Sequence, residues 1–216
     1  MLYYNMTIAM EPEMRQACPT RQLFAAPPPF HTIRNPACSM VQEPRQLSED
    51  LRKAAALWTA QGPRLFLKRG STEILETELI ALMPAGAQAL IHDMLALAHR
   101  YQALSDTREI RFRLEKIDHD SCCRFHVDTV PLRLLCTYTG PGVQWKHNDS
   151  ETVHETPEGW LTLLKGRLYP GWSADTSVLH RSPPLSGHAK PLTRLLLTLD
   201  HPDACGMNRR APMMDT

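Results

Sequence analysis

The hydrophobic period of this sequence changes from helical to alternating at Asp106, and this change limits the folds open to the chain. Before it, apolar residues recur at intervals of three and four, which predicts helices over 48–60, 71–83 and 84–106, with one strand at 64–70. After it, the predicted strands cover 108–118, 123–127, 132–138, 160–166, 176–180 and 193–200. Helices followed by many short strands are typical of an α+β fold, and we expect N-terminal helices packed on a jelly-roll barrel.

Prolines divide the chain further, because seven of the 18 fall within the first 44 residues. Proline interrupts both helices and strand ladders, so residues 1–47 are predicted to be a proline-rich arm. Residues 48–200 are predicted to be a single domain, with a helical part at 48–106 and a β-barrel at 107–200. The segment 201–216 has no periodicity and is predicted to be a flexible tail.

Charge and cysteine content narrow the class of protein. The 24 Lys and Arg residues against 23 Asp and Glu give a formal net charge of +1, which argues against a nucleic-acid partner. Six irregularly spaced cysteines do not suggest a disulfide scaffold, so we expect a reduced, cytoplasmic protein. The opening MLYYNMTIAMEPEMRQ lacks the basic start of a signal peptide, and no run approaches the roughly 20 apolar residues of a membrane span. We therefore expect no membrane partner.

The segment CRFHVD, residues 123–128, carries the strongest chemical signal. Residues two apart in a strand point to the same face, so His126 and Asp128 present an imidazole and a carboxylate to one point. A divalent transition metal accepts that pair, and His180, at the end of TSVLH, is the expected third ligand. Two histidines and one carboxylate with open positions match the facial triad of non-haem Fe(II) oxygenases. The three residues are therefore the candidate metal ligands and catalytic residues.

Arg194 stands near the start of the last predicted strand, 14 residues after His180. On that strand it shares a face with Leu196 and Thr198, while the opposite face consists of leucines, so we expect burial. A buried guanidinium is costly without an anion. A small dicarboxylate co-substrate bound at the metal would supply that anion through a bidentate contact.

The order HVD, a strand, a distal His and an Arg on the next strand resembles that of the Fe(II)/2-oxoglutarate-dependent oxygenases, over roughly residues 108–200. The resemblance implies a double-stranded β-helix, or cupin-like, barrel. It also implies Fe(II) held by His126, Asp128 and His180, 2-oxoglutarate bound by Arg194, and hydroxylation of a substrate that the sequence does not identify. FHVDTVPLRLLCTYTGPGVQW, LLKGRLYPG and VLHRSPP further resemble an uncharacterised bacterial family, domain of unknown function 1826.

Three more polar residues are candidates for the pocket. Arg133 and Tyr138 lie on opposite faces of a regular strand, so at most one of them faces inward. We prefer Tyr138, as a hydroxyl donor to the co-substrate carboxylate. A surface charge is an equally good interpretation of Arg133, and a turn residue is an equally good interpretation of Lys165.

Zinc is the alternative metal, because the segment 118–128 is dense in possible ligands: Asp118, His119, Asp120, Cys122, Cys123, His126 and Asp128. Thiolates beside imidazole suit zinc better than iron. Adjacent cysteines alternate faces, however, so at most one could join His126, and we expect Cys122 and Cys123 to be small buried residues. With zinc the protein would be a cupin-like hydrolase or a metal storage or sensing module. A binding module without catalysis is the third interpretation.

Overall fold

The structure of the protein, a computed structural model, describes residues 29–186 and 191–204. Within these ranges the chain forms three α-helices, one 3-10 helix and nine strands in two antiparallel sheets. This mixture confirms the α+β class predicted from the sequence. The first 28 residues of the predicted arm and residues 205–216 of the predicted tail lie outside the described residues.

The helices cover Glu49–Gln61 (α1), Thr72–Leu82 (α2) and Gln88–Ser105 (α3). Ser48 caps α1, since its hydroxyl accepts a hydrogen bond from the Leu51 amide at 3.2 Å. The expectation that Pro84 opens α3 is wrong, because a turn with Gly86 at φ 91° precedes the helix. No helix in the described ranges has the length and apolar character needed to cross a membrane.

Six strands form the larger sheet, in the order β1-β7-β4-β9-β3-β2. They cover Met40–Glu43 (β1), Leu65–Gly70 (β2), Ile110–Ile117 (β3), Leu132–Thr139 (β4), Leu161–Lys165 (β7) and Arg194–Asp200 (β9). The smaller sheet has the order β6-β5-β8 and consists of Gln144–His147 (β5), His154–Glu155 (β6) and Val178–Arg181 (β8). The sequence did not predict β1, β5 and β6.

The predicted strand over 123–127 is not a strand in the structure, which is a correction. This segment makes only an isolated antiparallel bridge, between His126 and His180. Cys122 adopts a φ of 49°, so the chain turns immediately before the segment and does not enter a sheet as an extended strand.

Two hydrophobic cores lie on opposite faces of the larger sheet. Alternate residues such as Leu134 and Leu197 pack with the helices, whereas Leu135 and Leu164 pack with Val178 of the smaller sheet. The period of two along each strand therefore decides whether a side chain meets the helices or the space between the sheets. The same alternation decides which of Arg133, Tyr138 and Arg194 face the smaller sheet and which face the helices.

The described part of the predicted arm contributes to the folded unit. Residues Pro29–Arg34 form a 3-10 helix in which Phe30 and Ile33 are buried, and β1 pairs with β7 at the edge of the larger sheet. Prolines therefore flank these elements without preventing a four-residue ladder.

The domain boundary at Ser48 stays a prediction, and truncation tests it. We expect a chain that starts at Ser48 to melt at least about 10 °C below one that starts at Pro29, because it lacks buried Phe30, Ile33 and Val41. Thermal unfolding followed by circular dichroism measures the difference. Equal melting temperatures would show that residues 29–47 are a dispensable linker.

Candidate metal centre

The three predicted metal ligands lie together between the two sheets. The backbones of His126 and His180 exchange two hydrogen bonds, with N–O distances of 3.1 and 3.0 Å, and their ring centroids are 4.7 Å apart. One ligand atom from each of His126, Asp128 and His180 lies within 4.8 Å of the other two. This spacing allows the three side chains to bind one metal ion.

The hydrogen bonds around the cluster leave lone pairs facing its centre. Nδ1 of His126 lies 2.8 Å from the Arg124 carbonyl oxygen, which can only accept, so Nδ1 carries the proton and Nε2 is free to act as a ligand. Oδ2 of Asp128 is buried and has no hydrogen-bond donor among the described residues, although Nε2 of His180 is 3.0 Å away. A buried oxygen without a donor is costly, and a cation at this point would satisfy it. The residues present therefore fit a metal ion.

The ionised Asp128 carboxylate favours cation binding, whereas at His126 a metal ion must compete with a proton. Burial alone would raise the pKa of Asp128, but the contacts with His126 and His180 and the charge of Arg133 hold that pKa well below its ordinary value. The contact with Asp128 in turn raises the pKa of His126. Asp128 is consequently ionised at neutral pH.

Arg194 reaches the same cavity from β9. The cavity has a volume of about 230 Å³ and is lined by His126, His180, Arg133 and Arg194, among others. Arg194 is 1% exposed and donates to the Pro141 carbonyl at 2.6 Å, the Ser182 hydroxyl at 3.2 Å and the Thr137 hydroxyl at 3.5 Å. Burial lowers its pKa to about 10, so it stays charged at neutral pH. No carboxylate in the described ranges pairs with it, and the cavity beside it can therefore accept an anion.

Tyr138 lies on the opposite face of β4, away from the cavity. It is buried among the helices, and its hydroxyl donates to the Asp93 carboxylate on α3. The preference for Tyr138 over Arg133 is thus corrected, because the alternation along β4 turns Arg133 toward the site. Lys165 also lies elsewhere, with Nζ donating to the Asn35 carbonyl at 2.8 Å.

Replacement of Tyr138 tests this correction. We expect Tyr138→Phe to lower the free energy of unfolding by about 1–3 kcal/mol, because the partly buried Asp93 carboxylate loses a donor. If 2-oxoglutarate is the co-substrate, as the sequence resemblance implies, the same variant should leave its KM unchanged. Urea denaturation and succinate release measure the two quantities, and a raised KM with unchanged stability would place the hydroxyl in the site after all.

Sequence reasoning missed a set of charges behind the metal cluster. Arg133 contacts Oδ1 of Asp128 through Nη1 at 2.6 Å and the carboxylate of Asp200 through Nε at 2.7 Å and Nη2 at 2.9 Å. Arg111 donates to the same Asp200 carboxylate at 3.0 Å. Strand alternation could have identified Asp200 from the sequence, because Asp200 lies six residues after Arg194 and therefore shares its face of the strand.

The additional residues that suggested zinc, Cys122, Cys123 and Asp118, are not part of the cluster of metal ligands. Cys122 and Cys123 are exposed, which corrects the expectation that they are buried, and neither sulfur belongs to the group of ligand atoms found in the described ranges. Asp118 forms a two-pronged ion pair with Arg64, at 2.6 and 3.0 Å. The converging ligand set is therefore two nitrogens and one oxygen, without sulfur.

A model of the family described as "Protein of unknown function (DUF1826)" matches residues 26–200 of the chain. This match confirms the sequence resemblance to that family. A comparison with curated proteins gives no match.

Several solved structures are similar to the chain. The dioxygenase for auxin oxidation in rice aligns with a TM-score of 0.51 at 11% identity, over 76% of this chain and 73% of that one. A prolyl-4-hydroxylase from Pseudomonas putida aligns at 12% identity with a TM-score of 0.49, over 80% and 96% of the two chains. The dioxygenase for auxin oxidation 1 from Arabidopsis thaliana, in complex with 2-oxoglutarate, aligns at 15% identity with a TM-score of 0.45, over 64% of this chain. The chain spans 63% of that protein's length. The similarity to the rice enzyme shows a shared fold.

Proposed function

We propose that this chain, which belongs to the DUF1826 family of unknown function, is a metal-dependent oxygenase that uses Fe(II) and 2-oxoglutarate to hydroxylate a substrate. One observation carries the proposal. Two histidines and an aspartate with a donor-free carboxylate oxygen form one cluster, and both histidines line a cavity with a buried arginine. Among the described residues, that arginine has only uncharged acceptors. The cluster requires a cation and the arginine requires an anion. An oxo-acid that chelates the metal through one end and binds the arginine through the other would meet both requirements.

His126, Asp128 and His180 would hold the metal. Three protein ligands leave the remaining coordination positions open for small molecules, and a set of imidazole and carboxylate ligands suits iron. Bound Fe(II) supplies the oxidising chemistry, with dioxygen and 2-oxoglutarate as co-reactants. The Arg124 carbonyl holds the His126 ring in the tautomer that leaves Nε2 free for the metal.

Arg194 would anchor the far carboxylate of 2-oxoglutarate. Its guanidinium is held by the Pro141 carbonyl and two hydroxyls, so little ordering is left to occur when an anion binds. The cavity walls include Leu135, Val143 and Leu196, which exclude water and strengthen the charge interaction. The carboxylate-binding role predicted for Tyr138 is not part of the proposal.

The finer features of the fold and setting belong to the same proposal. We assign the two facing sheets to a double-stranded β-helix of the cupin-like jelly-roll type, with the helices on the outer face of the larger sheet. The four described cysteines are free, which agrees with a reducing cytoplasmic location. The prime substrate is not identified, and the net charge of only +1 argues against nucleic acid in that role.

Anaerobic purification followed by metal analysis tests the proposal. We expect the full chain to bind about one equivalent of Fe(II), to develop the visible charge-transfer absorption of an Fe(II)–2-oxoglutarate complex, and to release succinate in an iron- and ascorbate-dependent reaction. Zinc bound in equal amount, with no charge-transfer band and no succinate, would instead support a hydrolase or a storage or sensing module.

A further inference from the structure

We infer that Arg111, Asp200 and Arg133 form a positioning row that holds Asp128 with one carboxylate oxygen committed to arginine and the other reserved for the metal. The inference rests on the proposed metal site. It assigns a function to three charged residues of the larger sheet that the proposed reaction does not itself use.

The row is built by strand register. Asp200 on β9 lies directly opposite Arg133 on the neighbouring β4, and directly opposite Arg111 on the other neighbour, β3. Residues that face each other across a sheet share a face, so the three charges lie side by side between the two sheets. All three positions lie within strands that are hydrogen-bonded to one another, so the row has the rigidity of the sheet.

The row is buried and internally paired. The Asp200 side chain is 0% exposed, and the side chains of Arg111 and Arg133 are 8% and 15% exposed. Both arginines donate to Asp200, Arg133 through two nitrogens and Arg111 through one. Buried charges persist only when they are paired and hydrogen-bonded, and the Arg–carboxylate fork is the strongest form of that pairing.

Arg133 connects the row to the metal cluster. Its Nε and Nη2 atoms are engaged by Asp200, and its Nη1 lies 2.6 Å from Oδ1 of Asp128. Oδ1 also lies 3.5 Å from Nε2 of His126, whereas Oδ2 lies 3.0 Å from Nε2 of His180. Oδ2 is the oxygen that has no hydrogen-bond donor among the described residues. The geometry thus divides the two oxygens of Asp128 between arginine and metal, which favours ligation through a single oxygen.

Asp200 matters because it keeps two of the three Arg133 nitrogens occupied. Without that carboxylate, the guanidinium loses two hydrogen bonds, and a turn toward Asp128 would let it bind both oxygens of that residue in the bidentate arrangement that Arg prefers. Arg133 would then compete with the metal for Oδ2. Asp200 is consequently a positioning residue for a metal ligand with which it makes no contact.

The chain offers a matched control on the other face of the same sheet. Asp93 also forms a bidentate pair with an arginine, Arg45, at 2.6 and 2.9 Å, and it is partly buried. Asp93 lies on α3, against the face of the larger sheet that packs with the helices, and belongs to no described metal cluster. Asp93→Asn therefore removes a carboxylate of the same kind without touching the row.

The test measures the Mn(II) affinity of the full chain by calorimetry, and the visible spectrum of the Co(II)-loaded chain as a report on the ligand set. We expect Asp200→Asn to weaken Mn(II) binding about 10- to 100-fold and to change the Co(II) spectrum, while Asp93→Asn leaves both unchanged at temperatures where it is folded. Arg111→Gln, which keeps the Arg133–Asp200 pair, should weaken Mn(II) binding only a few-fold, and it serves as the test variant if Asp200→Asn does not fold.

The possible failures are separable. A wild-type chain that binds no Mn(II) would overturn the proposed metal site itself. A wild-type chain that binds Mn(II), together with an Asp200→Asn variant that binds it equally well, would overturn the positioning row alone. An equal loss of affinity in Asp200→Asn and Asp93→Asn would reduce the row to a general contribution to stability, and would also overturn the inference.

Discussion

Replacement of Asp128 by alanine is expected to remove metal binding almost completely, and iron-dependent succinate release with it. Asp128 supplies the only carboxylate of the described cluster and its only donor-free buried oxygen. Loss of a residue that merely supports a ligand costs about 10- to 100-fold in metal affinity, so loss of the ligand itself should cost at least about 100-fold. The two histidines that remain supply only two of the three ligands of the described cluster.

Asp118→Ala is the control for this prediction. Asp118 belongs to the same ligand-rich segment, but it is half exposed and pairs with Arg64. Calorimetry with Mn(II) and the succinate assay should therefore show no change in this variant. If Asp118→Ala abolishes metal binding and Asp128→Ala spares it, the metal lies in the surface segment, and the cluster between the sheets is only a buried ion-pair network.

The alternation of side chains along the strands could be predicted from the sequence, and it accounts for the expectations that the structure agrees with. Arg194 shares a face with Leu196 and Thr198, and all three line the cavity. His126 and Asp128 also lie on one side of the chain although their segment is not a strand. A single bridge to His180 is enough to hold His126 beside its partner.

Alternation alone could not show which face of β4 meets the cavity. Both faces of that strand carry buried apolar residues, such as Leu134 toward the helices and Leu135 toward the smaller sheet. The choice between Tyr138 and Arg133 therefore depended on where the helices pack, which is a property of tertiary structure. The helices pack on the face of β4 that carries Tyr138, and the Tyr138 hydroxyl donates a hydrogen bond to Asp93.

Strand order and register were also outside the reach of the sequence. Arg111 and Asp200 are 89 residues apart, and they meet only because β3 and β9 are neighbours in the sheet. β1 joins the sheet at the far edge in the same way, through pairing with β7. Local patterns cannot specify contacts of such sequence separation, so the positioning row and the packed part of the arm required the structure.

Replacement of Arg194 by methionine is expected to separate co-substrate binding from metal binding. Truncation of one partner of a buried, hydrogen-bonded charge pair costs about 2–5 kcal/mol, which corresponds to a roughly 30- to 4,000-fold rise in the KM for 2-oxoglutarate. Arg194 is not among the metal ligands, so Mn(II) affinity in the absence of 2-oxoglutarate should stay at the wild-type value. Arg194→Lys keeps the charge but not the planar guanidinium, so its KM for 2-oxoglutarate should lie between those of the wild-type chain and Arg194→Met.

A second co-substrate isolates the carboxylate that Arg194 recognises. 2-Oxobutanoate retains the keto acid that would chelate the metal and lacks the far carboxylate of 2-oxoglutarate. The wild-type chain should therefore prefer 2-oxoglutarate strongly, whereas Arg194→Met should use the two acids with similar KM values, because the group that distinguished them is gone. A variant that still prefers 2-oxoglutarate would show that another cation binds the far carboxylate. Arg113, which lines the same cavity, would then be the first candidate.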